Sequence, residues 1–409
     1  MNKLLNIASA LPVILALLAC GCEKDPSNNP DNDTRSALER YWAEDYTGEI
    51  GIQQGECNVK GVVVPRMLLG GKPLYVTGVN CYNLFVQCHD SDGMKTERME
   101  QTVEVLKKEQ VPIVRFSGSP YYPGQFHFYF DQKQKFLENL EHLASLCDEA
   151  HILLVPSIFW QTNSAPAYYE EDPTAWGDPS SKTYAYMLSY TADIVNTLKD
   201  HKCVAMWEFG NEFNLAADIG SAGYKDIPAK VVSTAYKGFA DQVKKLDAHG
   251  RVIASGNSIM RNAQYHLMTG PSWDKDSYEQ YKEVSGIFNP DPMNGMSEHI
   301  YEEAREFSDK GKVGRSDQIS YAKQAAAELG KVYYVGEFTG PSCSDAMGDS
   351  LKVRKHFISY YAQRVQVSLM WNYALNGDIE ASFKADHPYG RMAFNMMREY
   401  NERFKTVVE

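Results

Sequence analysis

Short apolar runs, each closed by a turn signal, recur along most of the chain at 74–80, 111–116, 152–158, 203–207, 251–255, 295–301, 332–335 and 367–371. The runs are continuous rather than alternating, which suits strands buried on both faces of a parallel sheet. Helical periodicity fills the gaps. Phe136, Leu137, Leu140, Leu143, Leu146 and Cys147 form one apolar stripe, with Glu138, Glu141 and Asp148 elsewhere around the helix. Val231, Val232, Ala235, Phe239, Val243 and Leu246 form another, closed at Gly250. Strands that alternate with amphipathic helices predict an α/β fold, a closed (β/α)8 TIM barrel. No GxGxxG follows the first strand, which argues against a doubly wound open sheet.

Two features decorate this pattern. Residues 62–64 and 67–75 read as an N-terminal β-hairpin turning at Gly70-Gly71, placed to plug the barrel's N-terminal end. The loops after the third and fifth strands, 161–182 and 260–294, are long, and loops of that length in a compact domain are usually functional. They carry Tyr168, Tyr169, Trp176, Tyr265, Trp273, Tyr278, Tyr281 and Phe288, flat faces of the kind sugar rings stack on, about half of them expected to pack the loops instead.

The ends of the chain and its charge narrow the picture. Lys3 precedes an apolar stretch at 11–18 that is too short to span a bilayer comfortably. It ends in Leu17-Leu18-Ala19-Cys20, which resembles a bacterial lipobox. That resemblance implies a lipoprotein signal peptide over 1–20, lipidation of Cys20, export, and anchoring in the cell envelope, periplasmic or at the cell surface, through the outer or cytoplasmic membrane. Residues 21–48, rich at first in Asp, Asn, Pro and Ser, are expected to be a flexible tether, and 49–409 the barrel domain. The net charge of −12 and the lack of a Lys/Arg block exclude nucleic acid as a natural partner. Cys57, Cys81, Cys88, Cys147, Cys203 and Cys343 show no CxxC spacing and are expected to be mostly buried free thiols, with room for one bridge among Cys57, Cys81 and Cys88. The ten histidines are scattered without an HxH, so neither a metal nor a cofactor is expected.

The chemistry-bearing positions are two glutamates at strand ends. Glu212 stands in Trp207-Glu208-Phe209-Gly210-Asn211-Glu212, and Glu337 in Val335-Gly336-Glu337-Phe338. Catalytic groups of barrels sit at the carboxyl ends of strands, and a carboxylate pair is what glycosidic cleavage needs. Glu208, still inside its strand, reads as a buried structural carboxylate.

In order along the chain, Arg115 at the end of the second strand, Asn211-Glu212 at the fourth, His299-Ile300-Tyr301 at the sixth, Glu337 at the seventh and Trp371 at the eighth resemble glycoside hydrolase family 5, retaining (β/α)8 glycosidases of clan A. The resemblance covers nearly the whole barrel. It implies Glu337 as nucleophile, kept ionised by Arg115 and Tyr301, and Glu212 as acid/base, its pKa raised by the carboxylate beside it. It further implies Asn211 on the sugar 2-hydroxyl, His299 in the donor subsite or supporting Glu212, and stacking from Trp371, with Trp160 a further substrate contact. Phe213 stands where many members have Pro, and Phe159-Trp160-Gln161 lacks the His of many cellulase-like members. The run 71–83 and the Trp-Glu-x-x-Asn-Glu context look like the β-mannanase branch. The implied activity is endo-β-1,4-mannanase-like hydrolysis of a plant-type mannan or glucomannan. The alternatives are a β-glucanase or cellulase, an exo-acting β-glycosidase, and a non-catalytic carbohydrate-binding surface lipoprotein.

Overall fold

The structure, a computed structural model, describes residues 34–59, 61–90, 93–218, 227–270, 272–340, 349–377 and 382–405. Cys20 and the expected signal segment lie outside the described residues. The compact unit runs from Ser36 to Glu409.

Eight parallel strands form the barrel: β1 (Val76–Asn80), β2 (Ile113–Ser117), β3 (Leu153–Phe159), β4 (Trp207–Gly210), β5 (Ile253–Ala254), β6 (Gly295–Ile300), β7 (Val332–Thr339) and β8 (Val367–Trp371). They close in the ring order β5-β6-β7-β8-β1-β2-β3-β4. One helix returns the chain after each strand: α1 (Glu97–Lys108), α2 (Lys133–Ala150), α3 (Lys182–Leu198), α4 (Ala229–Leu246), α5 (Tyr278–Ile287), α6 (Arg315–Glu328), α7 (Asp349–Ala362) and α8 (Pro388–Phe404). Among the described residues no helix is long and apolar enough to cross a membrane.

Alternation along each strand sorts the side chains into two cores. On β2, Ile113 faces the barrel interior while Val114 and Phe116 face the helices; on β3, Leu153 and Val155 face in while Leu154 and Ile158 face out. The outward set packs against Leu140, Leu143 and Cys147 of α2, the stripe expected from the sequence. The inward set is apolar only in the lower half. Higher up the same positions become Arg115 and Ser157, so the barrel turns polar toward its C-terminal mouth.

The N-terminal hairpin is larger than expected. Val62–Leu69 turns at Gly70-Gly71 into the short Lys72–Pro73, as expected, but its main antiparallel partner is Ile52–Val59. Both turn glycines hold positive φ, 59° and 76°, where a Cβ would be strained. The hairpin plugs the barrel: Ile52, Met67 and Leu69 join the inner core, and the Ile52 N–H donates to the Ala205 carbonyl at 2.6 Å. The described part of the segment 21–48, expected as a tether, holds ordered structure. Ala37–Tyr41 is a helix with a Ser36/Glu39 capping box, and buried Tyr41 donates to the Lys202 carbonyl at 2.5 Å.

Other boundaries shift for local reasons. The fourth strand was expected at 203–207 and occupies Trp207–Gly210, with Val204 making only an isolated bridge to Leu154. The segment 260–294 is not one loop, since it contains α5, and Tyr278, Tyr281 and Phe288 are core residues rather than rim faces. Trp176 is likewise buried, donating to the Thr162 carbonyl at 2.7 Å. Cys57, Cys81, Cys88, Cys147 and Cys203 are all free thiols, so the bridge allowed among the first three does not form.

Gln366, just before β8, clamps the plug. Its Oε1 accepts from the Met67 N–H at 2.9 Å, and its Nε2 donates to the carbonyls of Met67 and Leu74 at 2.8 and 3.2 Å. Gln366→Leu would leave a buried backbone donor unpaired, so urea unfolding should show a loss of roughly 2–3 kcal/mol with an unchanged slope. A loss within error of zero would mean the clamp does not hold the plug.

Candidate active site

The mouth of the barrel is organised by Arg115, which is fully buried on β2. Its Nε donates to Glu208 Oε1 at 2.6 Å, its Nη1 to Glu337 Oε1 at 2.7 Å and Asn80 Oδ1 at 3.1 Å, and its Nη2 to Asn211 Oδ1 at 3.0 Å. Its flat face lies 4.8 Å from the Trp160 ring centroid. Glu208 is structural, as read from the sequence: it is buried, and its second oxygen accepts from Tyr334 Oη at 2.5 Å.

Glu337 points into the barrel because β7 carries an irregularity. Val332 and Tyr334 face in while Tyr333 and Val335 face out, so strict alternation would send Gly336 inward and Glu337 outward. The register against β6 shifts between the pairs Glu298↔Val335 and His299↔Glu337, and the parity flips. This is the re-aiming that a β-bulge performs. Glycine is required there. A Cβ on Gly336 would come within 2.8 Å of His299 Nε2 and of Ser297 Oγ.

Glu212 reaches the same point by a different device. Its backbone is left-handed, with φ 54°, and its N–H donates to the Gly256 carbonyl at 2.9 Å. A non-glycine residue pays for that conformation, and such outliers cluster at functional sites. His299 joins the two carboxylates: its Nδ1 lies 2.9 Å from Glu212 Oε1 and 3.4 Å from Glu337 Oε1. Tyr301 Oη donates to Glu337 Oε2 at 2.6 Å. Trp371 ends β8 and lies parallel to Tyr82, with centroids 5.9 Å apart, and Trp160 sits 5.6 Å from Tyr82. A cavity of about 180 Å³ opens beside Glu212, lined by Tyr121, Trp160, Asn211 and Leu215.

All the candidate residues of the barrel therefore meet at one mouth: Glu212, Glu337, Arg115, Asn211, His299, Tyr301, Trp371 and Trp160. Asn80, Tyr82, Tyr121 and Ser258 belong there too and were not singled out. Asn80 had a signal, being the polar last residue of an otherwise apolar strand; the others stand in loops, where nothing local marks them.

The protonation order differs from expectation. Burial pushes Glu337 up, and the Glu212 charge adds to this; His299, Arg115 and the Tyr301 hydrogen bond oppose it without cancelling it. Burial also acts upward on Glu212, but the hydrogen bond and charge of His299, helped by Ser258 and Arg115, outweigh it and hold the carboxyl below the usual range. The raised value expected for Glu212 is thus not found in the open cleft. The cause is the partner each carboxyl meets: His299 Nδ1 lies 2.9 Å from Glu212 and 3.4 Å from Glu337, whose side chain is only 5% exposed.

Glu212, His299 and Glu337 offer ligand atoms within 4.8 Å of one another, as do Asp148, His201 and Cys203 at the other end of the barrel. In the first group the Arg115 cation, 2.7 Å from Glu337, opposes a metal. In the second, both Asp148 oxygens are taken, by His201 Nδ1 at 2.7 Å and the Cys203 N–H at 2.5 Å.

No protein-family model and no curated protein sequence matches the chain. Solved structures do. An endo-1,4-β-mannanase from Rhizomucor miehei matches 86% of this chain and 99% of its own with a TM-score of 0.62 at 15% identity. A β-1,4-D-mannanase from Cryptopygus antarcticus matches 85% of this chain and 94% of its own, with a TM-score of 0.57 and 14% identity. The catalytic domain of an endoglucanase from Thermobifida fusca, solved with cellotetraose, matches 89% of this chain and 99% of its own, with a TM-score of 0.52 and 14% identity. What the chain shares with all three is the fold, a (β/α)8 barrel.

Proposed function

We propose that the protein is a retaining β-glycosidase of glycoside hydrolase family 5 that cuts the backbone of a β-1,4-linked mannan or glucomannan. The observation that carries this reading is the carboxylate pair, with an oxygen of Glu212 and one of Glu337 within 4.8 Å of each other. Retention uses carboxyl groups about 5–5.5 Å apart, whereas inversion needs about 6.5–9.5 Å to admit a water. The choice of mannan is supported by the sequence resemblance to the β-mannanase branch and by the mannanases among the solved structures of similar fold. Export and anchoring at Cys20 are part of the reading and are supported by the lipobox-like Leu17-Leu18-Ala19-Cys20 alone.

In this reading a Glu337 oxygen attacks the anomeric carbon while Glu212 gives its proton to the departing oxygen, so the C–O bond breaks and a glycosyl ester forms on Glu337. Glu212, now a carboxylate, takes a proton from water, whose oxygen displaces Glu337 and releases the sugar with its configuration retained. Arg115 and Tyr301 hold the two Glu337 oxygens so that the attacking lone pair is aimed. The Asn211 carbonyl oxygen is committed to Arg115, which leaves its amide to donate toward a sugar hydroxyl. The working form carries one proton, on Glu212. A glycan that covers the quarter-exposed Glu212 carboxyl strips its water and shifts the proton there.

Wild-type protein should release oligosaccharides from mannan or glucomannan, with the β-anomer appearing first by proton NMR, and Glu337→Gln should release none while still binding the polymer. An initial α-anomer, or full turnover by Glu337→Gln, would sink the assignment. Glu212→Ala should cost about 10²–10⁴-fold on natural glycans and far less on aryl glycosides with good leaving groups. Equal losses on both would remove Glu212 as the acid.

The pH profile of kcat/KM should be a bell bounded by the two macroscopic values of the pair. Glu337 is the higher of the two in the open cleft, and Tyr301 lowers it. Tyr301→Phe should therefore move the alkaline limb to higher pH and lower the plateau, because the shared proton is held more firmly on the wrong carboxyl. An alkaline limb that stays in place would contradict this order.

A further inference from the structure

A second cavity, of about 440 Å³, is lined by residues of the loops after β4, β5 and β6. Leu215 lines both this cavity and the smaller one beside Glu212. Ser258, also in its lining, hydrogen-bonds Glu212. The cavity therefore continues the cleft past the proposed proton donor.

Its charge runs against that of the protein. The chain carries 53 acidic and 41 basic side chains, yet the lining holds Arg261, Lys275 and Arg305 against Glu302 alone. Arg305 is 3% exposed, and its guanidinium donates to the carbonyls of Met260 and Arg261 rather than to a carboxylate. Its Nε has no hydrogen-bond partner, and the group is held from below by Tyr281 and Phe307, with ring centroids 4.5 and 5.0 Å from Cζ. Burying a cation is costly, and burial draws this guanidinium below its usual pKa although the charges of Glu298, Asp276 and Glu302 oppose it. Arg261 donates to the carbonyls of Asn214 and Leu215 and to Gln264 Oε1, and so turns the loop after β4 into the cavity wall. Lys275 reaches Glu306 only at 3.5 Å. At the edge of this positive basin stands Trp273, 64% exposed, the most exposed aromatic ring of the described residues. A large exposed indole beside a cavity is a face on which a ring can stack.

We infer that this cavity binds an acidic sugar unit on the leaving-group side of the cut, its ring against Trp273 and its anionic group, a carboxylate or a sulfate, in the field of Lys275, Arg261 and Arg305. The inference rests on the reading of Glu212 as proton donor and deepens it: the substrate is a glycan that carries acidic units, and a neutral chain fills the cavity less well. Lys275 and Arg261 supply the contacts, while Arg305 acts from behind them as a fixed charge.

The test uses the full chain with Glu337→Gln, which binds without turnover, in titration calorimetry against matched β-1,4-linked oligosaccharides. One ends in a uronic acid, one is its reduced neutral counterpart, and one carries a sulfate. An acidic ligand should bind roughly tenfold more tightly than the neutral one at low salt, and the gap should close in high salt. Lys275→Glu, a change at an exposed side chain, should abolish the preference without weakening the neutral ligand, and Trp273→Ala should weaken all three. Preference for the uronate alone or for the sulfate alone identifies the anion and supports the inference in that form. Equal affinity for acidic and neutral ligands, or a preference that survives Lys275→Glu, overturns it and leaves the glycosidase reading standing. If none of the three binds, the glycan-cleft reading itself falls, and this inference with it.

Discussion

A single buried guanidinium governs this molecule. Arg115 lies inside the barrel mouth with no access to water, so its charge must be met by partners in fixed positions. Those partners are Glu208 from β4, Glu337 from β7, Asn80 from β1 and Asn211 from the turn after β4. Strands that lie apart in the ring are thus tied at their carboxyl ends through one side chain. Breaking a buried pair by removing one member typically costs about 3–5 kcal/mol, because it strands the other charge. The geometry that fixes the Glu337 carboxylate is therefore also what ties the strand ends together.

The two ends of the barrel divide the work. At the N-terminal end the interior is dry: Ile52, Met67 and Leu69 of the hairpin meet Val76, Ile113, Leu153 and Val367 in a continuous apolar core. At the C-terminal end the same inward positions carry Arg115, Ser157, Glu208, His299 and Glu337. A dry base under a charged mouth lets the polar groups be satisfied by one another rather than by water from below. The low local dielectric also strengthens each bond among them.

Much of this was legible from pattern alone. Apolar runs marked seven of the eight strands and the approach to the fourth, because both faces of a barrel strand are buried, and polar residues at their ends marked the mouth. The pattern was silent where neighbours distant in sequence decide. Ile52–Val59 reads poorly as a strand, since after Ile52 its residues are mostly polar and half-buried or exposed, yet it is the main partner in the plug. Tyr82 and Tyr121 sit in loops with no periodicity, and only the fold brings Tyr82 against Trp371 and Trp160 and Tyr121 against Tyr82. The lowering of Glu212 was not foreseen from the sequence because it depends on His299 facing Glu212 at 2.9 Å, which has no local signature. Val335-Gly336-Glu337 misleads in the same way, since counting by twos from Val332 puts Glu337 on the wrong face.

That last irregularity has a consequence for how such a barrel changes over time. In β7 the hydrophobic code that builds the fold and the single acidic position that serves the mouth are out of phase, joined by one inserted glycine. Loss of that one codon would set the glutamate directly after outward-facing Val335, where plain alternation already turns it into the barrel, leaving the apolar pattern of the strand's lower half untouched. A strand with the inserted residue and one without it can therefore both present a carboxylate inward, at heights that differ by about one residue's rise. Residue-by-residue comparison of two such chains would open a gap beside the glutamate and read as a loss what the sheet absorbs as a slip in register.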